Sequence, residues 1–142
     1  SSCNYQVGRL YEERDVKVEI FGNDSERRTH EFDLSNAIVH ELAARGIRVN
    51  HADAPATLRG TIVDIRTPAV VDQQDTDLLL VGTVLLRVEI RLVRADGTEA
   101  WKDDRTESAS YAAARGETFE TARAEVFDRM ARWVATHFEK QW

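Results

Sequence analysis

The feature that most constrains this chain is a run of strict alternation. Val84, Leu86, Val88, Ile90 and Leu92 are interleaved with Leu85, Arg87, Glu89 and Arg91. Side chains that alternate with period two cannot share one stripe of a helix, so the run predicts a strand with one face to the core and the other mostly to water. Asp96-Gly97 follows at once, a dipeptide suited to the positive φ of a hairpin turn. The next strand, about residues 98–107 with Trp101 in it, is therefore expected to return antiparallel.

The other elements are arranged around this hairpin. Val16, Val18 and Ile20 alternate with Lys17 and Glu19, then Phe21-Gly22-Asn23-Asp24 punctuates the run. This predicts a short strand and a turn. Over residues 31–45 the period changes: Leu34, Ala37, Ile38 and Leu42, with Phe32 at the start, form an apolar stripe closed by Gly46, as in an amphipathic helix. Ile47 and Val49 give a brief extended piece, and residues 51–55 are a connector. Residues 57–66 alternate again, but Leu58, Gly60 and Ile62 oppose Thr61, Val63 and Ile65. Apolar residues on both faces suggest a strand interior to the sheet. Gly60 there marks a bulge or a close approach of a helix.

Residues 67–77 read as a long loop or an extended hairpin tip, since Pro68 opposes a central strand. The last stretch, 117–140, spaces Phe119, Ala122, Val126, Met130, Trp133 and Val134 as a helix, and Phe127, Ala131 and Phe138 widen its apolar face. Gly116 marks its start or interrupts a helix begun near Tyr111. The expected fold is α+β, with two helices packed on a four-stranded mixed or antiparallel sheet in the order β-α-β-β-β-α. Residues 1–15 form a tether, and 16–142 form one domain.

Composition narrows the function. A chain of 142 residues is long enough for a single domain with its own core. A net charge of −6, with no isolated run of Lys and Arg, argues against a nucleic-acid partner, which requires a cationic face. No apolar stretch approaches the roughly 18 residues of a spanning helix. The one cysteine, Cys3, excludes an internal disulfide and any Cys-rich metal cage. Behind Ser1-Ser2 it is either an incidental thiol or the lipid-bearing residue left by a lipoprotein signal peptide.

Residue types that carry chemistry are scattered. His30, His40, His51 and His137 form no metal-like pair, and Asp72, Asp75 and Asp77 lack the glycine and late glutamate of a calcium loop. No nucleophile elbow, phosphate-binding loop or dinucleotide fingerprint occurs. Ser108 and Ser110 have no base nearby in sequence, and Asp103-Asp104 reads as a hydrated strand end. No cofactor, metal or catalytic residue is expected. Trp101 and Trp133 read as core residues, whereas Trp142 and the loop with Pro68, Val70 and Val71 are candidates for partner contact.

One family unites these pieces. Cys3-Asn4-Tyr5, the strand Val16-Lys17-Val18-Glu19-Ile20-Phe21-Gly22-Asn23 and the helix end Ala44-Arg45-Gly46 resemble the LptE-like lipopolysaccharide-assembly lipoproteins. So do Ile47-Arg48-Val49, Ala52-Asp53, Leu58-Arg59-Gly60-Thr61-Ile62, the long amphipathic strand, Asp96-Gly97 and Trp101. The resemblance implies a lipid on Cys3 and two helices against a four-stranded sheet. It also implies a place on the periplasmic face of the outer membrane, where the domain plugs a β-barrel partner, LptD, and helps deliver lipopolysaccharide, without covalent chemistry. The chain departs from the family in having Asn4 where glycine is usual and in being acidic overall. Arg59, Arg87, Arg91 and Arg94 are the candidates for a local cationic patch, although Glu89 divides their strand. The competing expectations are another envelope lipoprotein or periplasmic adaptor of a transport or cell-wall complex, and a small enzyme or ligand-binding domain with a concave polar pocket.

Overall fold

The computed structural model describes residues 15–22, 28–50, 54–67 and 81–139. In chain order the elements are β1 (Asp15–Gly22), α1 (Arg28–Ala44), β2 (Arg48–Val49), β3 (Ala56–Arg66), β4 (Val81–Arg94), β5 (Glu99–Ala112), a 3₁₀ turn (Ala113–Arg115) and α2 (Phe119–Thr136). The sheet has five strands in the order β2-β1-β3-β4-β5. Strand β1 runs parallel to both neighbours, and β3, β4 and β5 form an antiparallel meander. Both helices lie on one face, against each other and against β1, β4 and β5. The fold class is as expected, but the sheet gains a strand.

The fifth strand is the brief extended piece after α1. It lasts two residues, paired Asp15 to Arg48 and Val16 to Val49. Its alternation is too short to read from sequence, and the side chain of the next residue extends it. Asn50 donates its N–H to the Val16 carbonyl at 2.8 Å, and its Oδ1 accepts from the Val18 N–H at 2.9 Å. Asn50 thus continues the ladder while turning away at φ 60°, a left-handed conformation that Asn tolerates. Parallel strands usually need a dozen or more residues between them. Here β2 ends beside Val16 and β3 begins beside Lys17, so the two flank β1 at nearly the same level along it.

Helix α1 buries Leu34, Ile38 and Leu42 completely, at i, i+4 and i+8. Phe32 does not join them and is 66% exposed. Two residues before Leu34 it lies about 200° away around the helix, off the stripe it was expected to start. The helix ends as expected at Gly46 (φ 82°), where the N–H of Ile47 reaches back to the Leu42 carbonyl at 3.0 Å.

Strand β5 runs five residues beyond the expected end, to Ala112, so Tyr111 is strand and not helix. Gly116 (φ 74°) caps the 3₁₀ turn, and α2 starts three residues later behind a reciprocal Thr118–Thr121 capping box. Val126, Met130 and Val134 of α2 are fully buried beneath Val84, Leu86, Val88 and Leu92 of β4. Among the described residues, no polar or charged residue is buried.

Two bulges set which face each strand presents. In β3 the register shifts between Ile62 and Asp64, leaving Val63 as the extra residue. A regular ladder would place Asp64 opposite the buried Leu86. The bulge instead pairs Ile65 with Leu86 and turns Asp64 toward Arg87. This phase change explains why the strand carries apolar residues in both alternations. Gly60 is neither a bulge nor a helix contact: a Cβ there would lie 2.6 Å from Ile20 Cδ1 on β1. In β5 the shift leaves Ala100 extra, so that Glu99 pairs with Val93 and Trp101 with Leu92.

Candidate functional site

The face of the sheet opposite the helices is the surface on which the expected arginines meet. Alternation along β3 and β4, corrected for the bulges, places Arg59, Arg87 and Arg91 on it. Glu19, Arg59, Arg91 and Lys102 are successive register partners on β1, β3, β4 and β5. Three cations therefore stand side by side across three strands. Like charges directly opposite one another destabilise a sheet. Only one end of the row is neutralised, where Arg59 Nε lies 3.6 Å from Glu19.

The next row is acidic and the one after it is mixed. Thr61, Glu89 and Asp104 form one row, and Asp64, Arg87 and Thr106 the next. Arg87 crosses to Asp104 at 2.9 Å. Arg91, Lys102 and Glu89 have no ion-pair partner among the described residues. The cationic and acidic rows line a shallow depression of about 680 Å³, with Arg59, Thr61, Glu89, Arg91, Glu99, Lys102 and Asp104 among the residues on its walls. What it offers is an array of fixed charge.

Arg94 is not part of this array. It pairs with Ala56 at the hairpin end, in the alternation that faces the helices, and is exposed. Cys3, Pro68, Val70, Val71 and Trp142 lie outside the described residues, as does most of the 67–77 loop. Lys102 is the member that sequence reasoning missed. A bulge-free ladder propagated from the hairpin would set Trp101, not Lys102, opposite Arg91. The register shift at Ala100 is invisible in a composition of alternating residues.

A second cluster lies at the other side of β5. Trp101, turned toward the helices, packs against His137 with ring centroids 4.9 Å apart and against Phe138 at 5.7 Å. His137 Nε2 is 2.9 Å from Asp103 Oδ2, and its Nδ1 is 3.0 Å from the Trp133 carbonyl. The hydrogen bond from His137, reinforced by the Asp104 N–H, holds the Asp103 carboxyl below the ordinary aspartate range. Arg105 stacks over Trp133 at 5.9 Å. This cluster ties the end of α2 to the edge strand. Trp101 and Trp133 are half-buried members of it rather than fully enclosed core residues.

Among the described residues no group of His, Cys, Asp and Glu is placed to hold a metal ion, and no helix is long and apolar enough to cross a membrane. The described residues form a two-helix layer on one face of a mixed sheet, with fixed charge on the open face. The family model for LptE, lipopolysaccharide-assembly, matches residues 14–138, and the chain belongs to that family of non-enzymatic lipoproteins of the Gram-negative envelope. Comparison with curated proteins finds no match.

Solved structures share the fold. A minor lipoprotein from Acinetobacter baumannii superposes with a TM-score of 0.62 at 13% identity, covering 92% of this chain and 98% of that one. PelC from Paraburkholderia phytofirmans, solved as a dodecamer, superposes with a TM-score of 0.60 at 15% identity, covering 91% and 88%. At such identities the likeness is one of fold.

Proposed function

We propose that this protein is an outer-membrane lipoprotein, anchored through a lipid on Cys3 with residues 1–15 as tether. On the periplasmic face it assists lipopolysaccharide assembly by plugging and supporting a β-barrel translocon of the LptD kind. The observation that carries the reading is the family match over residues 14–138, which embraces every described element. The charged open face with Arg59, Arg87 and Arg91 is the surface proposed to meet lipopolysaccharide or the barrel. Arg94, Pro68, Val70, Val71 and Trp142 are proposed as further contacts.

The test is affinity purification from membranes of the native host, with the full precursor expressed and bound proteins identified by mass spectrometry. Recovery of a large β-barrel, together with a diacylglycerol-type mass on Cys3, is the expected result. An unmodified, soluble product overturns the anchor. Recovery of an inner-membrane transporter or a cell-wall enzyme instead would keep an envelope adaptor and discard the assembly role.

A further inference from the structure

The cationic row on the open face raises a separate question, because Arg59, Arg91 and Lys102 stand side by side and, among the described residues, neither Arg91 nor Lys102 has an ion-pair partner, although Glu89 and Glu99 line the same depression. The acidic row lies one step away along the strands: Glu89 is two residues from Arg91 on β4, and Asp104 two residues from Lys102 on β5. Two such residues point to the same face about 7 Å apart. The two rows are thus parallel, neighbouring and opposite in sign.

A pattern of that kind is complementary to itself. If a second copy is laid face to face, with a two-fold axis running parallel to the rows and midway between them, position across the strands is kept and position along them is reversed. Arg91 then faces Glu89 of the second copy, and Lys102 faces Asp104 of the second copy. Symmetry repeats both pairs, giving four cross-copy contacts of opposite charge; the two at Asp104 are shared with Arg87, which meets that carboxylate at 2.9 Å within each copy, and the two at Glu89 go to an unpaired carboxylate. Without the bulge at Ala100, Trp101 and Asp103 would take the places of Lys102 and Asp104 on this face, so the match depends on that register. We infer that the open sheet face is a self-pairing surface through which two copies of this chain associate, with the Arg91–Lys102 row of each seated on the Glu89–Asp104 row of the other.

The dimensions suit a modest interface. Four strands about 4.8 Å apart and five rows about 7 Å apart span about 19 Å by 34 Å, or roughly 1,300 Å² for two copies. That is within the range of specific complexes and at its lower end. Half-buried Leu85 and Val93 flank the charged rows and give the patch some apolar surface. The sheets would pack aligned, as twisted sheets do. An association built this way is reversible and weakened by salt. The inference stands apart from the proposed assembly role: it concerns the chain with its open face free, and a partner docked there would displace the second copy.

Sedimentation velocity tests this on three forms of the protein. At low ionic strength and about 100 µM the unaltered protein is expected to sediment as a dimer that dissociates on dilution or in 0.5 M salt. Arg91→Glu leaves acids in both rows of β4, and Glu89→Arg leaves cations in both, so each variant alone is expected to associate at least tenfold more weakly. Mixed in equal amounts the two become complementary and should recover the dimer. Urea denaturation of each variant checks that these exposed changes leave the fold intact. A monomeric unaltered protein throughout the concentration range, a dimer that persists in Arg91→Glu, or a mixture that stays monomeric would each overturn self-pairing and leave the rows to another occupant.

Discussion

The two faces of the sheet are made of the same strands and have opposite chemistry. On the helix side, Leu58, Val84, Leu86, Val88 and Leu92 are inaccessible to solvent and meet the apolar stripes of both helices. On the open side, the intervening Arg59, Arg87, Glu89 and Arg91 remain exposed. The first face is organised to lower the free energy of the fold. The second holds a like-charge row that raises it slightly. Stability measurements can separate the two faces.

The largest effect is expected from the helix side. Leu86→Ala removes a wholly enclosed side chain beneath α2 and should cost about 3 kcal/mol in urea denaturation. A loss below about 1 kcal/mol would show that this layer is not the core. Gly82→Ala comes next. A Cβ there would lie 2.2 Å from Tyr111 Cζ, because the tyrosine ring lies across Gly82 from the paired strand. Expelling the ring, which also stacks edge-on against Phe119, should cost about 1–3 kcal/mol.

Arg123→Ala tests the seam between the helices. Arg123 donates to Asp33 at 2.5 Å and to His30 Nδ1 at 3.0 Å, and lies 4.6 Å from the Phe127 ring. The expected loss is about 1 kcal/mol. On the open face the sign should reverse: Arg91→Thr removes a charge flanked by Arg59 and Lys102, and is expected to be neutral or to stabilise by a few tenths of a kcal/mol in the same assay. A clear destabilisation would mean that Arg91 has a structural role and would blur the contrast between the faces.

The smallest effect is pH dependent. The Asp103 carboxyl is held below its ordinary value by His137. Its contribution is therefore fully present above the ordinary aspartate range and is lost as pH falls through the lowered value. Asp103→Asn should flatten the acid limb of the stability profile slightly, and tryptophan fluorescence reports it through Trp101 and Trp133 beside His137.

Much of this architecture was legible because its signals are periodic. The alternation of 84–92, the turn at Asp96-Gly97 and the stripe of Leu34, Ile38 and Leu42 each repeat over enough residues to determine an element. Asp96 accepts from the Thr98 N–H at 2.9 Å and Gly97 stands at φ 89°, as that turn chemistry requires. What escaped was aperiodic. A two-residue strand has no period, and Phe32 neighbours the stripe in sequence but not in angle. Each bulge is a single residue that inverts the alternation after it. The candidate site suffered most, because membership depended on register: Arg59, Arg87 and Arg91 were found, Arg94 proved to lie in the other alternation, and Lys102 was hidden behind Ala100. The extent of β5 was missed since Ser108, Ala109 and Ser110 carry little strand propensity and are held by pairing with β4.

The bulges also bear on how this strand meander can change by descent. Removing a paired residue such as Thr106 would exchange inside for outside along the rest of β5, so such deletions should be purged. Removing Val63 or Ala100 restores a regular ladder with every paired residue on its present face. These two positions are where a lineage could lose a codon in mid-strand and keep both faces, so length differences among relatives should gather there as well as in the loops.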